Sequence, residues 1–347
     1  MAGPLDRRYA YVEPDHNLWV AAQRRLVEAH DEGAWFLYAQ RTVESGRNGM
    51  PMFASRNVGD QHVLHKTAFL LPNRLPADPE PTDDGGFDFG GDTRRPARPN
   101  LSAVSIEYLL GLGLDPTDQY DADLLFLHAL AFVNAPLYSE QHGDSLRQQY
   151  PRVLLPATTE QLRVSAELGG RIKTLLDDDV PQPAGPLLDR LGALRKTSGT
   201  VDPSTGDLAV TVAWGALQQG AVMPRAGRSS AAPWSPEDRT AAAAQSTDGT
   251  IDAEGIEALL GNEMLTVELN DTVRLERVPS LVWQATFGGR NVIKKWLSYR
   301  TKTVLGRDLT TAEARHLTRM TRSVAALLML APALDESYTA IVTGETE

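Results

Sequence analysis

Chemistry on nucleotides, phosphates or metals needs particular side chains at particular spacings, and this sequence offers few such sets. Methylation of an adenine amino group needs a short loop led by Asn or Asp, then two prolines and an aromatic, to hold the flipped base. No Pro-Pro dipeptide occurs, and the nearest text, Asp115-Pro116-Thr117-Asp118-Gln119-Tyr120, lacks that shape. A Gly-x-x-x-x-Gly-Lys-Ser/Thr phosphate loop, the mark of an ATP-driven motor, is absent. His62 and His65 stand three apart in a strand or loop with no adjacent carboxylate cluster, so they make no matched metal set. Ser102, Ser105 and Ser139 have no nucleophile-elbow context. Asp177-Asp178-Asp179 reads as a solvated acidic helix end. No catalytic residue and no metal ligand is assigned. A nuclease built from scattered carboxylates stays open as an alternative.

Charge is the more informative signal. Residues 290–322 hold nine Lys/Arg against two acids, Asp308 and Glu313. That segment is +7 in a chain of net charge -11, which leaves -18 for the rest. Such a split gives either one anion-facing surface on an acidic body or a solvated basic helix face. Cysteine is absent, which excludes disulfides and thiolate metal sites and fits a reducing cytoplasm. No apolar run reaches the roughly 18 residues of a membrane span, and Met1 to Arg8 lack a signal-peptide pattern, so a cytoplasmic protein is expected.

These side chains need elements to hold them. Residues 1–100 read as β-rich: a helix over 15–30, strands at 35–38, 52–54 and 62–71, a Gly-rich turn at 45–49, and a Pro/Gly/Asp-rich loop over 76–100. Residues 101–180 form a helical lobe, with helices around 105–110, from about 121 to the break at Pro136, and from 158 or 159 to 176. Gly111-Leu112-Gly113 serves as a helix terminator. Residues 181–255 read as a loop-rich connection in which 223–250, with Ala241-Ala242-Ala243-Ala244, is an exposed insertion. Residues 256–347 return to period two at 265–269 and 273–277 around an Asn270-Asp271 turn. A third strand is expected at 281–287, and Gly288-Gly289 then leads sharply into a helix. The last helix opens with a Thr310/Glu313 capping box and carries a Leu317, Met320, Val324, Leu327 and Leu328 stripe, with Arg315, Arg319 and Arg322 on another face. Trp283 and Trp296 are assigned to the core. The expected class is α+β, with β-rich N-terminal and C-terminal parts packed around a helical lobe.

Four ordered segments carry a resemblance. They are Pro4-Leu5-Asp6-Arg7-Arg8-Tyr9-Ala10-Tyr11; Met52-Phe53-Ala54-Ser55-Arg56 with Asp60-Gln61-His62; a third group running from Asn100-Leu101-Ser102 through Asn134-Ala135-Pro136-Leu137-Tyr138 to Tyr150-Pro151-Arg152; and Val282-Trp283-Gln284-Ala285-Thr286-Phe287-Gly288-Gly289, continued by Lys294-Lys295-Trp296-Leu297-Ser298-Tyr299-Arg300. Together the chain resembles the C-terminal target-recognition region of type ISP restriction-modification enzymes and related DNA adenine methyltransferases. The fourth segment is the most specific, since a strand, a diglycine and a Lys-Trp-Leu-x-x-Arg helix rarely coincide by composition.

The resemblance implies a module that reads bases in double-stranded DNA and positions a methyltransferase core, with S-adenosylmethionine held by that partner and no cofactor in this chain. Lys294, Lys295, Arg300, Lys302 and Arg307, with Arg290 before them, lie beside the diglycine and are candidates for phosphate contacts. Arg41, Arg47, Asn48 and Arg56 lie in the N-terminal β-like part, where Arg and Asn suit guanine and adenine edges. Two alternatives stay open: part of an adenine methyltransferase or nuclease with undetected motifs, and an acidic protein-interaction or anti-restriction factor.

Overall fold

The computed structural model describes residues 5–6, 29, 33–40, 49–59, 64, 68–76, 97–245 and 251–344. The helix expected over 15–30, most of the 45–49 turn and of the 76–100 loop, His62 and His65 lie outside the described residues.

Strand β1 (Phe36–Gln40) runs antiparallel between β2 (Met52–Ser55) and β3 (Ala68–Pro72), with Phe36 opposite both Ser55 and Pro72. All five β1 residues are buried, so both faces of this strand are covered. A short pair, β4 (Arg74–Leu75) and β5 (Arg98–Pro99), leads into the helices.

Local signals fix the helical lobe. Ser102 caps α1 (Ala103–Gly111), and Gly113, at φ +74°, ends it as expected. Asp118 caps α2 (Gln119–Asn134), Pro136 opens α3 (Pro136–Leu146) in its first turn, and Thr158 caps α4 (Thr159–Leu176). Helices α2 and α4 touch backbone to backbone: a Cβ on Gly169 would stand 1.9 Å from the Leu127 carbonyl oxygen. The N-terminal sheet is tied to α2 by polar bonds. Asp123 accepts from Trp35 Nε1 at 3.2 Å and Asn73 Nδ2 at 3.0 Å, and Asn134 Nδ2 donates to the Met52 carbonyl at 2.8 Å.

The 181–255 segment departs from its expected loop character. It supplies β6 (Ala193–Lys196), the hairpin strands β7 (Gly215–Gln218) and β8 (Ala221–Pro224), β9 (Ser229–Pro233), and helices α5 (Pro236–Gln245) and α6 (Ala253–Leu260). With β10 (Glu263–Glu268) and β11 (Val273–Pro279) it builds an antiparallel sheet in the order β6-β11-β10-β9. The outer strands are short, β6 reading Ala-Leu-Arg-Lys and β9 Ser-Ser-Ala-Ala-Pro, so neither carries a strand pattern long enough to read on its own. The edges of the β10–β11 hairpin recruit them. That hairpin forms as expected, with Asn270 Oδ1 accepting from the amides of Thr272 and Val273 at 3.0 and 2.8 Å. The alanine run lies in α5, where Ala242 is buried.

The strand expected over 281–287 is also different. Its first part is the helical turn α7 (Ser280–Gln284), and only Thr286–Phe287 (β12) is extended, paired with β13 (Arg290–Asn291). Burial of Val282 beside half-exposed Leu281 is the helical pattern here, not alternation. Then follow α8 (Val292–Ser298), α9 (Lys302–Leu305), α10 (Thr311–Met329) and α11 (Ala331–Thr343). The Thr310/Glu313 capping box is formed, and Leu317, Met320, Val324 and Leu327 are buried in the main core.

By length and composition alone the span Thr311–Thr343 is apolar enough to cross a bilayer, contrary to the run-based expectation. Its apolar stripe instead packs in the protein core, and polar bonds anchor its first half. Arg319 donates to the Asp177 carbonyl and approaches Asp178 at 3.5 Å, and Arg322 reaches Asp189 Oδ1 at 3.1 Å and the Asp189 carbonyl at 2.8 Å. These arginines clamp α10 onto the chain at 177–191. Asp177 is correspondingly buried rather than solvated, and pairs with Arg56 at 2.7 Å.

Candidate nucleic-acid interface

Gly288 and Gly289 connect β12 to β13 with φ of +53° and +77°, a left-handed pair that side chains resist and that reverses a hairpin in two residues. Arg290 comes directly out of that turn. Asn291 then caps α8, its Oδ1 accepting from the Lys294 amide at 2.8 Å while its Nδ2 donates to the Trp283 carbonyl at 2.5 Å. The cap sets Lys294 and Lys295 in the first turn of α8, on a helix whose Val292, Ile293, Trp296 and Leu297 are buried. The N-terminal part meets the same turn: the Met50 amide donates to the Thr286 carbonyl at 3.0 Å and the Gly288 amide to the Met50 carbonyl at 2.8 Å. A Cβ on Gly49 would lie 1.9 Å from Thr286 Oγ1, so this approach is closed to larger residues.

The result is a cleft of about 1350 Å³. Its charged lining among the described residues is Arg290, Lys294 and Lys295 against the single acid Glu140. None of the three cations has an ion-pair partner among the described residues, and Arg290 Nε is buried without a hydrogen bond. Lys295 Nζ lies 4.7 Å over the Tyr299 ring, which steadies the side chain without neutralising it. Three cations on one wall, none of them ion-paired among the described residues, create a local positive field on a chain of net charge -11.

The other candidates are placed differently. Arg300 is buried, bonded to Asp6 at 2.7 Å and stacked on Trp296, so its guanidinium belongs to the core and is unavailable to a phosphate. Lys302 pairs with Asp308 at 2.9 Å, and Arg307 holds Glu313 at 2.7 and 3.1 Å; both side chains are half exposed. Arg56 is committed to Asp177 and does not line the cleft. Arg41, Arg47 and Asn48 lie outside the described residues, although Gly49 and Met50, which follow Asn48, line the cleft. Among the described residues no group of three or more His, Asp or Glu could hold a metal ion. The β7–β8 hairpin was missed from sequence, yet its Val222, Met223 and Pro224 form part of the cleft wall. The Gln219-Gly220 pair was the available signal for it.

The family described as the type ISP C-terminal specificity domain matches residues 1–327. The chain belongs to that family. Its fold is mixed α+β, with several small sheets and helices, as expected. No curated protein sequence matches it. Among solved structures, the specificity domain is similar to the ATP-dependent type ISP restriction-modification enzyme LlaBIII bound to DNA, at 10% identity and TM-score 0.48, over 88% of this chain and 16% of that one. It is also similar to a nuclease-deletion mutant of the type ISP enzyme LlaGI in complex with a DNA substrate mimic, at 13% identity and TM-score 0.45, over 87% and 21%. A DrdV–DNA complex matches at 14% identity and TM-score 0.44, over 90% and 24%. The specificity domain thus spans a quarter or less of the length of these structures.

Proposed function

We propose that this specificity domain binds double-stranded DNA in the Arg290/Lys294/Lys295 cleft and selects the target sequence for a methyltransferase or restriction partner. The observation that carries the reading is the convergence of those three cations, none ion-paired among the described residues, on one cleft where Gly49 and Met50 meet the β12–β13 turn. Phosphate contacts of this kind fix register on a duplex and leave sequence to be read by neighbouring groups. S-adenosylmethionine belongs to the partner in this reading, and the domain acts in the cytoplasm, where the DNA is.

The test is duplex binding by the chain at about 50 and about 200 mM salt, compared with Lys294→Glu/Lys295→Glu. Removing two phosphate contacts lowers the slope of log K against log salt by about 2. An unchanged slope in the variant would move the interface elsewhere, and absence of duplex binding by the unaltered chain would reject the reading.

A further inference from the structure

We propose that the β7–β8 hairpin is the base-reading element of this domain: a two-stranded ribbon that enters the major groove with Gln218 and Gln219 at its tip, while Arg290, Lys294 and Lys295 hold the phosphates beside it. The proposal rests on the duplex-binding reading above.

The hairpin is anchored at its base and free at its tip. A Cβ on Gly215 would stand 2.0 Å from the Ser298 carbonyl oxygen, so β7 lies directly on the end of α8. The Arg225 amide donates to the Trp214 carbonyl at 2.7 Å, and buried Trp214 donates through Nε1 to the Glu268 carbonyl at 2.7 Å. Beyond that base the two strands pair, among the described residues, only with each other. Gln219 and Gly220 turn the chain with φ of +50° and +77°, the two-residue form whose twist matches a hairpin. Gln219 accepts a conformation that a side chain resists, at the outermost point of the ribbon.

Side-chain placement follows from the register. Gln218 is opposite Ala221 and Ala216 is opposite Met223, so these four share one face; the cleft is bordered by that face through Met223 and by the other through Val222 and Pro224, so the ribbon stands edge-on to the cations. Leu217 and Val222 share the other face, and Leu217 is 59% exposed, an apolar exposure that a solvated turn does not need. Both Gln carboxamides are exposed and have no hydrogen-bond partner among the described residues. Gln pairs bidentately with adenine N6 and N7, and apolar side chains suit the thymine methyl.

Dimensions agree as well. A strand of this length reaches roughly 10 Å from its base, and a major groove about 12 Å wide and about 8.5 Å deep admits such a ribbon. The neighbouring positive wall, extended by exposed Arg225, suits a polyanion, and duplex DNA is the occupant this ribbon fits.

The test uses the 347-residue chain and the duplex it selects from a random pool. Each adenine of that duplex is replaced in turn by 7-deazaadenine, which lacks the N7 acceptor. The unaltered chain is expected to lose about five- to a hundred-fold in affinity at the adenines the ribbon reads. Gln218→Ala/Gln219→Ala is expected to bind the unmodified duplex that much more weakly, to lose nothing further at those positions, and to keep its melting temperature and its affinity for unrelated duplex. Equal 7-deazaadenine sensitivity in variant and unaltered chain, or a selected site without any sensitive adenine, would overturn the ribbon assignment and leave duplex binding standing. Failure of the unaltered chain to bind any duplex would overturn both.

Discussion

Arg300 donates through Nη2 to Asp6 Oδ1 at 2.7 Å across 294 positions of the chain, and its guanidinium carbon sits 4.0 Å from the centre of the Trp296 ring. Both side chains of the ion pair are less than a tenth exposed. A buried pair broken on one side leaves an uncompensated charge. Arg300→Ala is therefore expected to cost about 3–5 kcal/mol of stability. Below its melting range, the variant should keep the salt slope of duplex binding. Urea denaturation with a salt titration checks both halves, and a normal stability with a reduced slope would return Arg300 to the interface.

His128 gives the protein an acid-sensitive point. Its Nε2 donates to the Leu154 carbonyl at 2.9 Å, which leaves Nδ1 to accept from the Ser165 hydroxyl at 2.9 Å. Burial drives the imidazole pKa down to about 4, although the Leu154 bond pulls the other way. The unfolded chain takes up this proton below its ordinary value and the folded chain does not, so stability is full above about 6.5 and declines as pH falls toward 4. Between about pH 7 and about pH 4.5 the loss amounts to roughly 2–3 kcal/mol. His128→Gln should be less stable at neutral pH and show a shallower decline, as measured by urea melts at the two pH values.

Glu313 acts lower in the range. Burial works against its charge, but the Arg307 hydrogen bond, the Thr310 amide and the Arg300 charge outweigh it and hold the carboxyl at about 2. Its stabilisation is present above the ordinary carboxylate pKa and disappears as pH falls from there toward 2. Thr310→Ala, which breaks the capping box, should cost about 1 kcal/mol at neutral pH in the same denaturation assay.

Two adjacent glycines should respond oppositely. A Cβ at Gly169 would collide with the Leu127 carbonyl, so Gly169→Ala must part α2 from α4, at roughly 1–3 kcal/mol. A Cβ at Gly170 meets nothing, and Gly170→Ala should gain about 0.5–1 kcal/mol in helix propensity. Melting temperatures of the two variants decide this, and a shift of the same sign in both would contradict the close crossing.

What was legible in the sequence was local. The Thr310/Glu313 capping box, the helix start at 158 or 159, the Pro136 break, the Asn270 turn and the diglycine each act within a few residues, and each is where the sequence places it. Remote pairing was not legible. Asp6 lies 294 positions from Arg300, and β6 and β9 become strands only because β11 and β10 offer them an edge. The same limit governs the basic run between 290 and 322. Composition counts its cations alike, but the fold turns Arg300, Arg319 and Arg322 inward as clamps and leaves Arg290, Lys294 and Lys295 on the cleft without an ion pair among the described residues.

The most direct test is selection by the purified chain from a randomised duplex pool, followed by the same selection with Lys294→Glu/Lys295→Glu. Enrichment of one sequence by the unaltered chain, and of none by the variant, is the predicted result. Recovery of an unenriched pool by the unaltered chain would contradict sequence recognition by this domain.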